Sequence, residues 1–408
     1  MKARVLRRLV AVAVAVCLFG LIGIIAGIPG WNGAIPRFTG LLCAVALSLL
    51  AADLTFRLRI RLRRGRPYKK NPPLPFEDLY TIPHPYFPWI YRPHAVTGNQ
   101  GFIPYPLHYG QFSGAPTRAS TWGYVDGPEA DRDITQHKSP GEYRIACVGA
   151  STTGNYIKSS EGVFSYPSEL ERILRSDGFS NMTVINCGVG GYNSGDLLVR
   201  FALQTVDLEP DCIIIYHAYN DIRAYLTPGL TGDFAHSRRS LAEVNWKLYA
   251  ADAMPTFGLA SLDYIRAKYL AGSVGKSLLE LTTRGVIDLT LDPAPGLAIY
   301  RRNLQSIIDL AKSRDIRVVL STYCHFLHKE IENNTVHLRY HDIVAMENQI
   351  MRDLAEKNNL LLTDNATAVP LSDPYFVDSI HFTPAGMVKV AENFADTVKP
   401  FLLDGPIR

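Results

Sequence analysis

From Tyr143 onward, short and uniformly apolar runs alternate with longer stretches whose apolar residues recur every three to four positions. The short runs predict strands at 144–149, 183–187, 212–217, 317–323 and 360–363. The longer stretches predict helices at about 166–176, 194–206, 297–314, 336–358 and 384–402. In the first of these, Leu170, Ile173 and Leu174 share one face. The last opens with Thr383 as its cap and Pro384 at its first turn, where the missing N–H costs nothing. Alternation of this kind predicts an α/β domain with a parallel, doubly wound sheet. Residues 223–296 interrupt it and are long for a simple connection. They carry Trp246, Tyr249, Met254, Phe257, Tyr264 and Tyr269. Because this insertion leaves the sheet just after Asn220, it reads either as a cap over the site or as a decoration without a substrate role.

The amino-terminal part has a different pattern. Leu9 to Ile28 is 20 residues without a charge, long enough to cross the hydrocarbon core of a bilayer. Pro29-Gly30-Trp31-Asn32-Gly33 breaks it, and a weaker apolar run follows from Phe38 to Ala52, extendable to Phe56 past Asp53. The simplest reading is a transmembrane hairpin with spans at about 9–28 and 38–56. The competing reading of the first run, a signal peptide, fits less well because the run is long and a second one follows. Lys2, Arg4, Arg7 and Arg8 precede the first run, Arg37 alone lies between the two, and eight Lys and Arg residues lie between Arg57 and Lys70. The positive-inside rule then places both ends, and the domain that follows, on the cytoplasmic face. If only the first run spans, the domain faces outward (extracytoplasmic). Residues 71–142 form a connecting segment. Its first part, through His84-Pro-Tyr-Phe-Pro-Trp-Ile-Tyr-Arg-Pro, is too rich in proline for helices. It is also too aromatic for a free linker, so it is expected to pack on the domain or on the membrane face.

Charge sharpens this division. The net charge of +4 conceals a basic amino terminus: residues 1–70 hold 13 Lys and Arg against one acid, Asp53. The remainder holds 29 against 37, so the α/β domain is mildly acidic and nucleic acid is excluded as its partner. A lipid bilayer is the expected partner of the amino terminus. The six cysteines fall in the apolar amino-terminal runs or in and beside predicted strands, with no zinc or redox spacing. Neither a metal nor a cofactor is called for.

Four short motifs lie at the ends of predicted strands: Val148-Gly149-Ala150-Ser151-Thr152, Asn186-Cys187-Gly188-Val189-Gly190-Gly191, Ala218-Tyr219-Asn220-Asp221 and Asp378-Ser379-Ile380-His381. The carboxyl edge of such a sheet is where ligands bind. A serine hydroxyl needs a base to become a nucleophile, and His381, three residues after Asp378, is the candidate. Asp378 can fix the imidazole tautomer while the other ring nitrogen faces Ser151. The N–H groups of Ser151 and Gly191 and the side-chain amide of Asn220 are candidate oxyanion donors. Taken singly, each motif would more often be a cap or a turn. His217, His325 and His328 also fall near strand ends and are given no role.

Together the four motifs resemble those of the SGNH/GDSL hydrolase superfamily, over roughly Arg144 to Leu402. Gly149-Ala150-Ser151-Thr152 stands where that family has its Gly-Asp-Ser block. Gly191 stands five residues after Asn186, as in its glycine block, and Asn220-Asp221 and Asp378 with His381 match the remaining two. The chain departs from the pattern at Ala150, in place of an aspartate, and at Ala218, in place of a glycine. The resemblance implies a flavodoxin-like, three-layer α/β/α fold over 143–408 and a serine esterase or acyl-hydrolase with the triad Ser151, His381, Asp378. The expected substrate is a small-molecule, lipid or O-acylated glycan ester. O-acyl transfer by the same residues and a non-catalytic membrane-tethered scaffold are the alternatives.

Overall fold

The computed structural model describes residues 42, 44–51, 53–55, 57–58, 81–82, 84–91, 93–94, 120–124, 134–155, 157–159, 162–238, 287–329 and 331–403. The chain divides into two compact units, Met1–Glu77 with Ala251–Gly272, and Asp78–Ala250 with Ser273–Arg408. In the first, the described part of 42–58 is helical, and Arg57 Nε donates to Asp53 one turn earlier at 2.6 Å. Among the described residues no helix is long and apolar enough to cross a membrane. The run Leu9–Ile28, part of the run 38–56, the basic flank after residue 58 and residues 239–286 of the insertion lie outside the described residues.

The second unit is built on five parallel strands, β1 (Tyr143–Gly149), β2 (Met182–Asn186), β3 (Cys212–Tyr216), β4 (Arg317–Ser321) and β5 (Leu361–Thr363), in the order β2-β1-β3-β4-β5. This is the flavodoxin-like arrangement. Every residue of β3 is buried, as expected of a central strand covered on both faces. Five helices cover the sheet: α1 (Tyr166–Ser176), α2 (Ser194–Leu203), α3 (Ala294–Lys312), α4 (Thr335–Asn358) and α5 (Pro384–Leu403). Helix α1 packs on α5, while α2 packs on α3 and α3 on α4, so the sheet is sandwiched between two helical layers. The parallel α/β fold expected from the alternation is therefore present.

The register places one residue from each of four strands side by side at the carboxyl edge: Gly149 opposite Tyr216, Tyr216 opposite Ser321, and Ser321 opposite Thr363. The first three motifs leave the sheet at this edge. Two expected elements end early. Strand β4 stops at Ser321 because the N–H and C=O of Tyr323 turn to the side chain of Asn348, at 2.6 and 2.9 Å. Helix α2 stops at Leu203, where Gln204 leaves helical geometry, and Thr205–Leu208 tighten into a 3-10 turn. The short antiparallel pair Ile157–Ser159 and Gly162–Phe164 has no counterpart in the periodicity. As expected, Thr383 Oγ1 caps α5, accepting from Gly386 N–H at 3.3 Å.

The described part of the aromatic segment packs on this domain. Trp89 is buried, and its indole N–H donates to Gly190 O at 3.0 Å. Tyr192 in turn donates its hydroxyl to Trp89 O.

Candidate active site

Ser151 follows the end of β1 by two residues and begins a single helical turn, Ser151–Gly154, closed by Gly154 N–H to Ala150 O at 2.8 Å. As the first residue of that turn, Ser151 keeps an N–H without an acceptor inside it. Ala150 contributes no side-chain cap. The turn is braced instead by its threonines: the Thr152 hydroxyl pairs with Tyr323, and Thr153 with Tyr166 at 3.0 Å. The departure from aspartate at position 150 thus leaves a different set of hydroxyl contacts holding the serine in place.

His381 and Asp378 arrive on the loop before α5. That loop is pinned by Val377 N–H to His381 O at 2.8 Å, and by Phe326 N–H to Ser379 O at 2.8 Å. His381 Nε2 lies 3.0 Å from Ser151 Oγ, and its Nδ1 lies 2.7 Å from Asp378 Oδ2. Asp378 Oδ1 accepts from the N–H groups of Ile380 and His381, at 2.9 and 2.8 Å. Burial opposes ionisation of Asp378. The hydrogen bond and charge of His381, with the two N–H groups, outweigh it and hold the carboxyl below its usual range. An ionised Asp378 only accepts, so Nδ1 carries the proton and Nε2 is free to accept from the serine hydroxyl. The triad expected from the sequence is brought together in bonding geometry across 230 residues of chain.

The second and third motifs meet beside it. Gly191 sits at φ +77°, a region that suits glycine, and Arg238 donates to its carbonyl at 3.4 Å. Asn220 Nδ2 donates to the carbonyl of the next residue, Tyr192, at 2.8 Å. One of its two amide hydrogens is thereby committed. Asp221 is fully buried and ties the motifs together. It accepts from Ser194 N–H at 2.9 Å, from Ser194 Oγ at 2.5 Å and from His217 Nε2 at 2.8 Å. His217 therefore belongs to a structural cluster. His328 is half-buried, 3.3 Å from Asp373. His325 is buried against His341, and burial, with those imidazoles and His337, pushes its pKa down to about 3.

Three participants are absent from the four motifs. Trp89 and Arg238 back the glycine loop, and Glu347 backs the asparagine loop. Glu347 is fully buried on α4, accepting from Tyr219 N–H and from the Tyr225 hydroxyl, each at 2.9 Å. Burial first, and then the nearby charge of Asp221, push its pKa up to about 8. Its signal in the sequence is a carboxylate on the mostly apolar buried stripe that also holds Ile343, Val344, Asn348, Ile350, Met351 and Leu354 of an amphipathic helix. Among the described residues no cluster of His, Cys, Asp and Glu could hold a metal ion.

A serine hydroxyl hydrogen-bonded to a base of fixed tautomer at the carboxyl edge of a sheet is an arrangement suited to acyl transfer. Solved structures to which the chain is similar include the lipase/acylhydrolase from Enterococcus faecalis, at 17% identity and a TM-score of 0.39, covering 64% of this chain and 96% of that one. An acetyl xylan esterase, AlAXEase, matches at 16% identity and a TM-score of 0.39, over 62% and 99%. The acetylxylan esterase Axe2 from Geobacillus stearothermophilus matches at 15% and 0.39, over 65% and 96%. No curated protein sequence matches the chain. The model of the GDSL-like Lipase/Acylhydrolase family matches residues 147–389, more than half of the chain, and spans all four motifs. The chain belongs to the GDSL-like lipase/acylhydrolase family and is a hydrolase acting on ester bonds.

Proposed function

We propose that the protein is a membrane-anchored serine esterase that cleaves the ester of a lipid or an O-acylated glycan at Ser151. The observation that carries the reading is the unbroken chain from Ser151 Oγ to His381 Nε2 and from His381 Nδ1 to Asp378, at 3.0 and 2.7 Å. Ser151 Oγ bonds to the ester carbonyl carbon as its proton passes to His381 Nε2. Asp378 stabilises the resulting imidazolium. The N–H groups of Ser151 and Gly191 and the second amide hydrogen of Asn220 hold the oxyanion. Collapse of the tetrahedral intermediate breaks the bond to the alcohol, which leaves with the proton from His381. Water, deprotonated by His381, then releases the acid and restores Ser151.

The membrane reading is supported by the 20 uncharged residues from Leu9 to Ile28. In the helix that follows, Leu42, Val45 and Leu49 are exposed, and the charge of Asp53 is matched by Arg57. The Lys and Arg bias favours the cytoplasmic face for the hydrolase domain.

The test is hydrolysis of a p-nitrophenyl ester series, acetyl to palmitoyl, by the full chain and by Ser151→Ala. Turnover by the parent, its loss in the variant and labelling of Ser151 by a fluorophosphonate establish the serine mechanism. No turnover and no labelling would reject it.

A further inference from the structure

The backbone that carries Asn220 is held in an unfavourable shape. Asn220 N–H bonds back to Ala218 O at 2.8 Å, closing a three-residue turn around Tyr219, whose φ is +72°. A γ-turn with a positive central φ is rare and strained, and a tyrosine there has a Cβ that glycine would lack. Strain of this kind costs on the order of 1–3 kcal/mol and persists only where the surroundings over-determine it. The turn aims the side chain of the next residue, Asn220.

The surroundings of the turn are asymmetric. On the side-chain end, Asn220 Nδ2 is tied to Tyr192 O. On the backbone end, the N–H of Tyr219 reaches Glu347 Oε2, 128 residues away on α4. The other carboxyl oxygen of Glu347 is oriented by the Tyr225 hydroxyl. The ring of Tyr219 rests on Tyr340, two turns earlier on the same helix, with centroids 5.1 Å apart.

A buried carboxylate is an expensive way to fill space. An apolar side chain of the same length would pack there without the desolvation cost. Both partners of Glu347 are neutral, so no ion pair offsets that cost. What the carboxyl provides, and an apolar side chain cannot, is an acceptor for the Tyr219 N–H, which the strained turn points away from every regular ladder. Either protonation state supplies it. When ionised, both oxygens accept. When neutral, one oxygen can donate to Tyr225 and the other still accepts from Tyr219.

We propose that Glu347 is the positioning residue of the oxyanion donor Asn220: by capping the Tyr219 N–H it holds the strained turn that presents the Asn220 amide. This rests on the reading of Asn220 as an oxyanion donor. Glu347 touches no substrate and acts only through that turn, so its effect falls on the transition state and not on substrate binding.

The test is a double-mutant cycle in the full-length chain, with p-nitrophenyl acetate as the probe. Asn220→Ala alone should lower kcat by about 100-fold, as removal of one oxyanion donor does. Glu347→Leu should lower kcat by roughly 10-fold or more with KM within about twofold. In the Asn220→Ala background, Glu347→Leu should add no more than about a twofold loss, since the group it positions is gone. Glu347→Gln, which keeps an acceptor for Tyr219 and a donor for Tyr225, should recover most of the loss. If Glu347→Leu does not fold, Glu347→Met takes its place in the cycle; should neither fold, the proposal stands or falls on Glu347→Gln retaining kcat. Multiplicative losses, a loss confined to KM, or a Glu347→Gln variant as impaired as Glu347→Leu would overturn the proposal. No effect of Asn220→Ala would instead overturn the oxyanion reading on which it rests.

Discussion

Gly191 and Trp89 are in direct register: a Cβ built on Gly191 would lie 2.8 Å from Cζ2 of the Trp89 ring. Two independent constraints therefore fall on one residue, a positive φ and a wall. Gly191→Ala should cost stability by roughly 1–3 kcal/mol through the strained backbone alone, and should reduce kcat by shifting the N–H proposed as an oxyanion donor. Trimming the wall with Trp89→Ala in the same chain should relieve the contact but leave the φ strain, so activity should return only in part. Thermal melts and p-nitrophenyl acetate kinetics on both variants check this; full recovery in the double variant would show that the wall alone matters.

The hydrogen-bond order of the triad yields a second expectation. Asp378 fixes the proton on Nδ1 of His381 by accepting its hydrogen bond. Asp378→Asn preserves size but can offer an N–H, which would favour the tautomer with the proton on Nε2, facing Ser151. Loss of kcat by about 10³-fold or more, with little change in melting temperature, is expected. A change of less than about tenfold would mean that Asp378 does not set the tautomer.

Much of this site is legible in the sequence. The strand ends were visible because β1, β3 and β4 are buried on both faces, and continuous apolar runs such as Cys212-Ile-Ile-Ile mark such strands plainly. The triad was legible because each member lies within a few residues of a strand end or of the last helix. What stayed hidden depends on contacts across long stretches of chain. Trp89 lies 101 residues from the Gly190 carbonyl it bonds, and Glu347 lies 128 residues from the N–H it caps. No local pattern encodes either partner. Glu347 did leave a trace, a carboxylate on an apolar stripe, but a stripe shows only that the residue is buried. The early end of β4 was hidden for the same reason, since the acceptor and donor that replace the ladder come from Asn348 on α4.

Asp221 supports the next expectation. It accepts three hydrogen bonds in a fully buried position, two from Ser194 and one from His217. Asp221→Asn replaces one acceptor atom by an NH₂ group facing donors, leaving at least one buried donor unsatisfied. A loss of about 2–4 kcal/mol of stability follows, larger than for an exposed Asp. Because Ser194 opens α2 directly behind the glycine loop, activity should fall as well. Chemical denaturation reads the first effect, and a melting temperature equal to that of the parent would contradict it.

His325 should report on acid stability. Its buried ring is held neutral, with a pKa near 3 against about 6.5 in an unfolded chain. Below pH 6.5 the unfolded chain takes up a proton that the folded chain refuses, so stability is lost as pH falls from about 6.5 toward 3. His325→Asn removes this linkage. Its melting temperature should decline less steeply than that of the parent between pH 7 and 4, and parallel curves would show that His325 does not titrate in this window.

Glu347 gives the opposite sign, and so an independent check on its surroundings. Its carboxyl titrates near 4.3 when unfolded and at about 8 in the fold, where burial and the charge of Asp221 disfavour ionisation, with Tyr225 beside it. Between these values the folded chain holds a proton that the unfolded chain has released. Stability contributed by the neutral carboxyl is therefore fully present below about pH 4.3 and is lost as pH rises toward 8. Glu347→Gln keeps the hydrogen-bonding shape without the titration. The melting temperature of Glu347→Gln relative to the parent should rise between pH 5 and pH 9, while at the acid end the two should lie close together. A difference that stays constant across this range would mean that Glu347 ionises freely, and that Asp221 and the apolar stripe of α4 do not press on it as their positions require.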